Sequence, residues 1–490
     1  MKYLHEPTPG TIVLDHRLTP EVRAMLAAMV SRSPVGGVKQ RYAEVVAAAG
    51  DEDALTTYPL HPKVQGFFDQ FVGKYGHSSV LELTGSPTVA VEGVSWFTAW
   101  LLFDSPLVAG QEFSTRAVRR TDWPMARECN LPSTGTQLRM IGDGDEATGP
   151  VIPNKSEPHP DLVVLHNDWL EVFEAEVAWW AEHLTDPANR AALGIADKEP
   201  FRPALDRARW ALPGTFATGA AFASNLRERS RAIRDAASVN GPSAPSTVWA
   251  DVESAYRAAT PGLAGYGLRE AVVGTERDLP GHLATILRPV EGAGHPSGVD
   301  VDLRVTDWNG DGAVAPYART RPRSYVDPWF NRLVQARVSI ECSLAVARDW
   351  HRHRTLYPWH LGVVCPNGEI TLDRRYVPKS EVAVARTPDL IRRSHDLYRR
   401  FLDAGDVERA ALALPMGTRV VVSGVGGLRD VLYTLELRAN AHGANFEYKE
   451  QAEAALYLLE TRARLSFVST PDGIDELTVF DAVGYKPDGK

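Results

Sequence analysis

Two distant stretches of the chain repeat one spacing, and this echo limits the possible folds more than any other feature. Pro213 is followed twelve residues later by Asn225, and Pro415 is followed at the same distance by Gly427. In both places a leucine precedes the proline, and Leu-Arg-acid opens a helical segment directly after the twelfth residue. A repeated spacing of this kind indicates two copies of one structural unit.

A second pair of segments agrees with a duplication. Ser95 and Ser343 each begin a mostly apolar helical segment that ends nine residues later. Because serine is a preferred N-cap, these two positions predict equivalent helix starts. The sequence therefore predicts two tandem copies, at residues 1–262 and 263–490.

Hydrophobic periodicity predicts both strands and long helices along the chain, and so an α+β fold. Strand-like segments lie at 87–94, 282–290, 299–305 and 420–425. Long helical patterns lie at 168–184, 329–352, 388–404 and 426–460.

Composition narrows the class of protein. The chain has 490 residues, which is enough for two large domains or about three average ones. Its 44% hydrophobic and 23% charged residues are typical of a globular chain. The formal net charge of −9 disfavours an extended nucleic-acid surface, which usually carries a basic excess, and is compatible with a local basic pocket for a phosphate.

The three cysteines are widely spaced and form no Cys-x-x-Cys pair, so neither a disulfide framework nor a zinc ribbon is predicted. No metal site is expected. The N-terminus lacks the apolar core of a signal peptide, and the most apolar stretch, Val94–Phe103, is too short to cross a bilayer. A reducing, cytoplasmic setting without a membrane partner is therefore expected.

Two clusters of side chains could carry chemistry. His351–Arg354 reads His-Arg-His-Arg at a predicted helix end, where guanidinium groups could hold a dinucleotide phosphate. The alternative is a solvated basic helix terminus that complements the helix dipole. Glu112, Ser114 and Arg116 alternate, so on an extended segment they would share one face and suit a phosphate-bearing ligand. An exposed strand with ordinary charges is the other reading.

Further motifs precede and follow the second cluster. The first half carries His77-x-Ser-x-x-Glu82, then a strand that ends in Gly-Val-Ser, then Ser114-x-Arg116. In this order and spacing the segments resemble the flavin-dependent thymidylate synthase family. That family has Arg-His-Arg seven residues before Ser-x-Arg, whereas this copy reads Asp-Ser-Pro at 104–106.

The second half shows the complementary pattern. It keeps Arg-His-Arg at 352–354 but reads Gly-Val-Val at 362–364, where Ser-x-Arg should follow. It also keeps the late Arg438 and His442, whereas the first half keeps Asn225 and has alanine in place of the late arginine. In the family, active sites form between subunits of a homotetramer. The resemblance thus implies one composite site from two half-copies, and a homodimer of fused chains that mimics the tetramer.

The resemblance implies FAD-dependent C5-methylation of a uracil nucleotide such as dUMP, with NADPH as reductant and methylenetetrahydrofolate as a possible carbon donor. It assigns cofactor binding to Arg352, His353, Arg354, Asn225 and His442. It assigns substrate binding to Ser114, Arg116 and Arg438, and Glu112, which shares a face with Ser114 and Arg116, is expected to join them. Within that set, Arg438 and Ser114 are the expected catalytic residues.

Two departures leave the substrate open. Asp349 stands where the family usually has glutamine, and Ala117 stands where it has tyrosine. A flavin-dependent modification of a different nucleotide or nucleoside is one alternative. Since both copies have lost motifs, a catalytically silent nucleotide-binding scaffold is the other.

Overall fold

A computed structural model describes most of the chain. The described residues are 1–9, 11–30, 37–75, 78–112, 115, 124–129, 158–195, 200–239, 247–261, 285–291, 298–305, 334–440 and 445–463. The predicted junction between the two copies, at 262–263, lies outside these ranges.

Strands and helices alternate along the described residues, which confirms the α+β class. The strands are β1 Leu4–Thr8, β2 Thr11–Leu14, β3 Thr88–Val94, β4 Ala109–Glu112, β5 Thr218–Ala223, β6 Pro289–Val290, β7 Val299–Val305, β8 Val334–Ser343, β9 Trp359–Val364 and β10 Arg419–Gly427. The helices of the first half are α1 Pro20–Val30, α2 Val38–Ala49, α3 Pro62–Phe68, α4 Trp96–Phe103, α5 Pro160–His183, α6 Pro187–Ala192, α7 Phe201–Ala208, α8 Leu226–Val239 and α9 Thr247–Ala259. Those of the second half are α10 Leu344–His351, α11 Glu381–Asp403, α12 Val407–Leu412, α13 Leu428–Asn440 and α14 Phe446–Ala463.

The two larger sheets share a strand order. In the first half, β5 lies between β3 and β4, and all pairs are antiparallel. In the second half, β10 lies between β8 and β9 in the same antiparallel way. The second sheet is extended by β7 beside β8 and by β6, which runs parallel to β9 and makes the sheet mixed.

One strand of each sheet, β3 in the first half and β8 in the second, leads directly into a short buried helix. The Ser95 hydroxyl accepts a hydrogen bond from the Thr98 amide at 3.0 Å, and the Ser343 hydroxyl accepts one from the Val346 amide at 3.3 Å. Each serine thus satisfies one of the free amides of a first helical turn. The helix starts predicted at both serines are confirmed.

The prediction of one helix over 329–352 is wrong. Residues 334–343 form β8, in which Ala336, Val338, Ile340 and Cys342 are buried and the residues between them are more exposed. This alternation is the period-two pattern of a strand, and it was obscured by the helical period of α10 directly after it.

Two other predicted segments differ in extent. The helical pattern at 426–460 divides into α13 and α14. In the described part of the strand-like segment at 282–290, which is 285–290, only the two residues of β6 form a strand.

The two repeated Leu-Pro segments contact each other through backbone hydrogen bonds. The Met416 amide donates to the Leu212 carbonyl at 3.0 Å, and the Gly417 amide donates to the Trp210 carbonyl at 2.6 Å. A side chain at Gly417 would place its Cβ 2.8 Å from that same carbonyl oxygen, so the close approach requires glycine. The halves therefore pack backbone against backbone here. No helix in the described ranges is long and apolar enough to span a membrane.

Candidate functional site

Helix α10 carries the Arg-His-Arg segment at its C-terminal end, and a buried carboxylate holds its start. Glu447 accepts hydrogen bonds from the Ser343 amide at 2.7 Å, the Ser343 hydroxyl at 2.8 Å and the Tyr376 hydroxyl at 2.8 Å. In the first half, Glu128 accepts from the Ser95 amide at 2.9 and 3.0 Å. Both helices are thus anchored by a glutamate from a distant segment, which fixes where their C-terminal ends lie.

One stretch of α10 is paired with the first half. The Arg209 guanidinium donates to the Asp349 carboxylate at 2.9 Å, and both side chains are buried. The His351 ring stacks on Trp100 at a centroid distance of 3.8 Å. Buried ion pairs and stacked rings both have preferred geometries. These two contacts therefore fix the orientation of α10 about its own axis relative to the first half.

Glu112 brings β4 of the first half to the same helix. Its buried carboxylate forms an ion pair with Arg348 and lies 3.6 Å from the Arg352 guanidinium. The Thr218 hydroxyl donates to it at 3.3 Å. The structure therefore joins two residues that the sequence analysis selected, Glu112 and Arg352, across the two halves.

His353 lies against Arg438 of α13. The Arg438 Nε–H donates to His353 Nε2 at 3.0 Å, which requires an unprotonated acceptor nitrogen on the imidazole. Burial, and next the Arg438 charge, lower the pKa of His353 to about 3. The guanidinium of Arg438 also lies 4.9 Å from the Tyr448 ring centroid. The pair therefore presents one fixed cation and one neutral imidazole.

We expect His353 to stay neutral through the physiological pH range, and the pH dependence of the unfolding free energy tests this. The unfolded chain binds a proton at this residue below about pH 6.5, whereas the folded protein does so only near pH 3. Unfolding therefore takes up a proton between these values, and the stabilisation present above pH 6.5 is lost as the pH falls. Relative to His353→Gln, the wild type should lose about 2 kcal/mol of unfolding free energy between pH 7 and pH 5. Denaturant titrations at the two pH values measure it, and an unchanged difference would contradict a neutral His353.

Arg354 provides a second cation in the same segment. Among the residues that the structure describes, Arg354 has neither a hydrogen bond nor an ion pair, and burial lowers its pKa. Within the same ranges, Arg438 has no carboxylate partner. Two partly desolvated guanidinium groups without counter-charges favour an anionic ligand, and planar arginines suit phosphate oxygens.

Of the other predicted site residues, only Asn225 lies within the described part of the chain. The Asn225 side chain caps α8 by accepting from the Glu228 amide at 2.9 Å, and in the described part of the chain it makes no bond to residues 352–354. Helix α8 does approach the loop after the cluster, since Arg231 lies 6.0 Å from the Tyr357 ring centroid. Ser114, Arg116, His442 and His77 lie outside the described residues.

Sequence reasoning missed the residues that hold α10 in place. Arg348 lies one helical turn before Arg352, so helical spacing could have placed it on the same face. Arg209 gave no local signal, because its partner Asp349 is far away in the chain. Asp349 itself was noted only as a departure from the family; its carboxylate is neutralised by Arg209.

The comparisons with known proteins agree with the resemblance in the second half. Residues 331–463 match the model of a family described as "Thy1: Thymidylate synthase complementing protein", which confirms the resemblance for that segment. No curated protein sequence gives a significant match.

Solved structures similar to this chain include two of a UMP/dUMP methylase, PolB from Streptomyces cacaoi. The complex with 5-Br UMP is 18% identical over 41% of this chain and 98% of that chain, with a TM-score of 0.22. The complex with 5-Br dUMP is 19% identical over 40% of this chain and 98% of that chain, with a TM-score of 0.23. Scores at this level carry no argument about this chain's ligand.

Proposed function

We propose that this protein is an FAD-dependent methyltransferase that transfers one carbon to C5 of a uracil nucleotide such as dUMP, at one composite site built from two diverged copies of one unit. One observation carries the proposal. Within the segment that matches the family, Arg438 donates a hydrogen bond to a neutral His353, Arg354 directly follows His353 in the chain, and both arginines lack an anionic partner in the described structure. Glu112 reaches this segment from the other half.

The residues of this cluster fit a flavin dinucleotide. Arg352, His353 and Arg354 would hold it, with Asn225 and His442 as further contacts. Glu112 keeps Arg352 from turning away, because its carboxylate already binds the adjacent turn of α10 through Arg348. When bound and in its reduced form, FAD would supply the electrons that reduce the transferred carbon. NADPH would restore these electrons to the flavin, and methylenetetrahydrofolate would deliver the carbon.

The substrate side of the site would combine the two halves. Ser114 and Arg116 would bind the nucleotide, with Arg116 on its phosphate, and Arg438 would lie by the pyrimidine and polarise it. A guanidinium that hydrogen-bonds a neutral imidazole keeps a fixed orientation, and a preorganised cation stabilises negative charge as it develops on the ring. The protein's contribution is thus positioning and electrostatics.

Similar features in the two halves support the proposed duplication, and with it one composite site in each chain. The shared strand order of the two sheets and their serine-capped helices are what a duplication would leave. In the first half, Asp-Ser-Pro replaces Arg-His-Arg, and Asp104 of that triplet lies 3.6 Å from His351. The equivalent region of the first copy therefore serves the contact between halves. We expect the chain to form a homodimer.

Visible absorption of the purified protein, with and without added FAD, tests the proposal first. A flavin band that NADPH bleaches without oxygen, followed by dTMP formation from dUMP and methylenetetrahydrofolate, is the expected result. Flavin binding without turnover of dUMP would favour a different nucleotide or nucleoside as substrate. A protein that ignores FAD would favour the scaffold alternative and contradict the proposal.

A further inference from the structure

A cavity lies between the two halves, and the Arg-His-Arg segment does not line it. It has a volume of about 210 Å³ and is walled by Trp180 and Trp210 from the first half and by Tyr376 and Phe446 from the second. Arg207 of α7 and Lys379, in the loop before α11, are among its lining residues. None of the lining residues is among those proposed to hold FAD or the uracil nucleotide.

Arg207 is the unusual group in this cavity. Its guanidinium carbon lies 4.1 Å from the Phe446 ring centroid and 5.6 Å from the Trp180 ring centroid. In the described part of the chain it makes no hydrogen bond or ion pair, and burial lowers its pKa. Aromatic faces stabilise a cation only in part, so a desolvated guanidinium retains the capacity to bind an anion.

Most acidic groups near the cavity are engaged by protein partners; the exception is Glu176, whose Oε1 accepts from the Lys379 and Ser380 amides at 2.7 Å while its Oε2 has no partner in the described part of the chain. Asp206 accepts from the Asn445 amide at 3.1 Å and lies 3.7 Å from Arg209. The lining residue Arg375 forms ion pairs with Asp373 at 3.0 Å and with Glu450 at 3.2 Å.

Tyr376 is also committed, because its hydroxyl donates to Glu447 at 2.8 Å. The lining therefore contains aromatic rings and cations and no acidic residue. Arg207 and Lys379 are the lining cations that have no ion pair in the described part of the chain.

We propose that this cavity binds a small aromatic anion, a single ring that carries a carboxylate or a phosphate. The ring would pack among the tryptophans and Phe446, and the anionic group would meet Arg207 inside and Lys379 at the exposed rim. The volume is that of roughly seven water molecules and lies below the ~300–1,000 Å³ of sites for drug-sized ligands. It fits one substituted ring rather than a whole nucleotide.

Calorimetric titration of the full-length protein with benzoate, phenyl phosphate and neutral benzamide tests this site. We expect benzoate or phenyl phosphate to bind at submillimolar concentration, and benzamide at least 10-fold more weakly. Arg207→Gln should weaken anion binding at least 10-fold, and Lys379→Gln about 3-fold. Arg202→Gln is the matched control, since Arg202 is an exposed arginine on the same helix.

Two measurements keep the result specific. Binding of the anions must persist in Arg354→Gln. This result separates the cavity from the proposed FAD site, so that failure of the cavity proposal would not count against the proposed function. Thermal unfolding of each variant shows whether it is folded; if Arg207→Gln is not, Lys379→Gln carries the test because Lys379 is exposed. Absence of binding of both anions to the wild type at millimolar concentration, equal binding of benzamide, or no effect of Arg207→Gln in a folded variant would overturn the proposal.

Discussion

Replacing Arg354 with glutamine is expected to weaken FAD binding by about 10- to 100-fold while leaving the protein as stable as the wild type. A hydrogen bond to a charged group contributes about 1.5–3 kcal/mol, and each 1.4 kcal/mol is a factor of ten in affinity. Stability should not change, because Arg354 has no protein partner within the described residues whose loss would leave a buried group unsatisfied. Flavin absorbance after gel filtration, with titration of the apoprotein by FAD, measures the effect.

The matched control for this variant is Arg374→Gln. Arg374 is exposed and lies in the loop before α11, so the same change of charge there should leave FAD affinity within twofold of the wild type. Equal flavin binding by Arg354→Gln and the wild type would remove Arg354 from the cofactor site. An equal loss in both arginine variants would indicate that only the net charge matters.

Much of this arrangement could be predicted from local pattern. The spacing after each Leu-Pro pair and the two serine-started helices depend on residues near one another in sequence, where capping and periodicity act. The strand β8 was missed for a local reason too: its alternation runs directly into a helix, and one window across both contains two periods.

What could not be predicted depends on contacts between distant residues. Glu112 was selected as a substrate ligand from its alternation with Ser114, yet its carboxylate faces Arg348 and Arg352, which only the packing of the halves brings near. The cavity around Arg207 could not be predicted for the same reason, because its walls come from five separate segments. The sequence shows which residues are able to pair, but tertiary packing determines which of these pairs form.

The buried ion pair between Arg209 and Asp349 offers the largest expected effect on stability. The two side chains are 1% and 7% exposed, so removal of one partner leaves a desolvated charge. Arg209→Met should therefore lower the free energy of unfolding by about 3–5 kcal/mol. Because Asp349 belongs to α10, one turn before Arg352, this variant should also weaken FAD binding if the cluster is the flavin site.

A double-mutant cycle separates the pair from the packing around it. Arg209→Met with Asp349→Leu replaces both charges by apolar groups, and such replacements of buried ion pairs are often neutral, so most of the lost stability should return. Arg400→Met is the control, since Arg400 also joins the two halves, through Asp161 at 2.6 Å, but both side chains are about half exposed. Its cost should stay below about 1 kcal/mol. Denaturant unfolding of Arg209→Met, Asp349→Leu, the double variant and Arg400→Met measures these differences. A double variant no more stable than Arg209→Met would show that α10 depends on the shape of these side chains rather than on their charges.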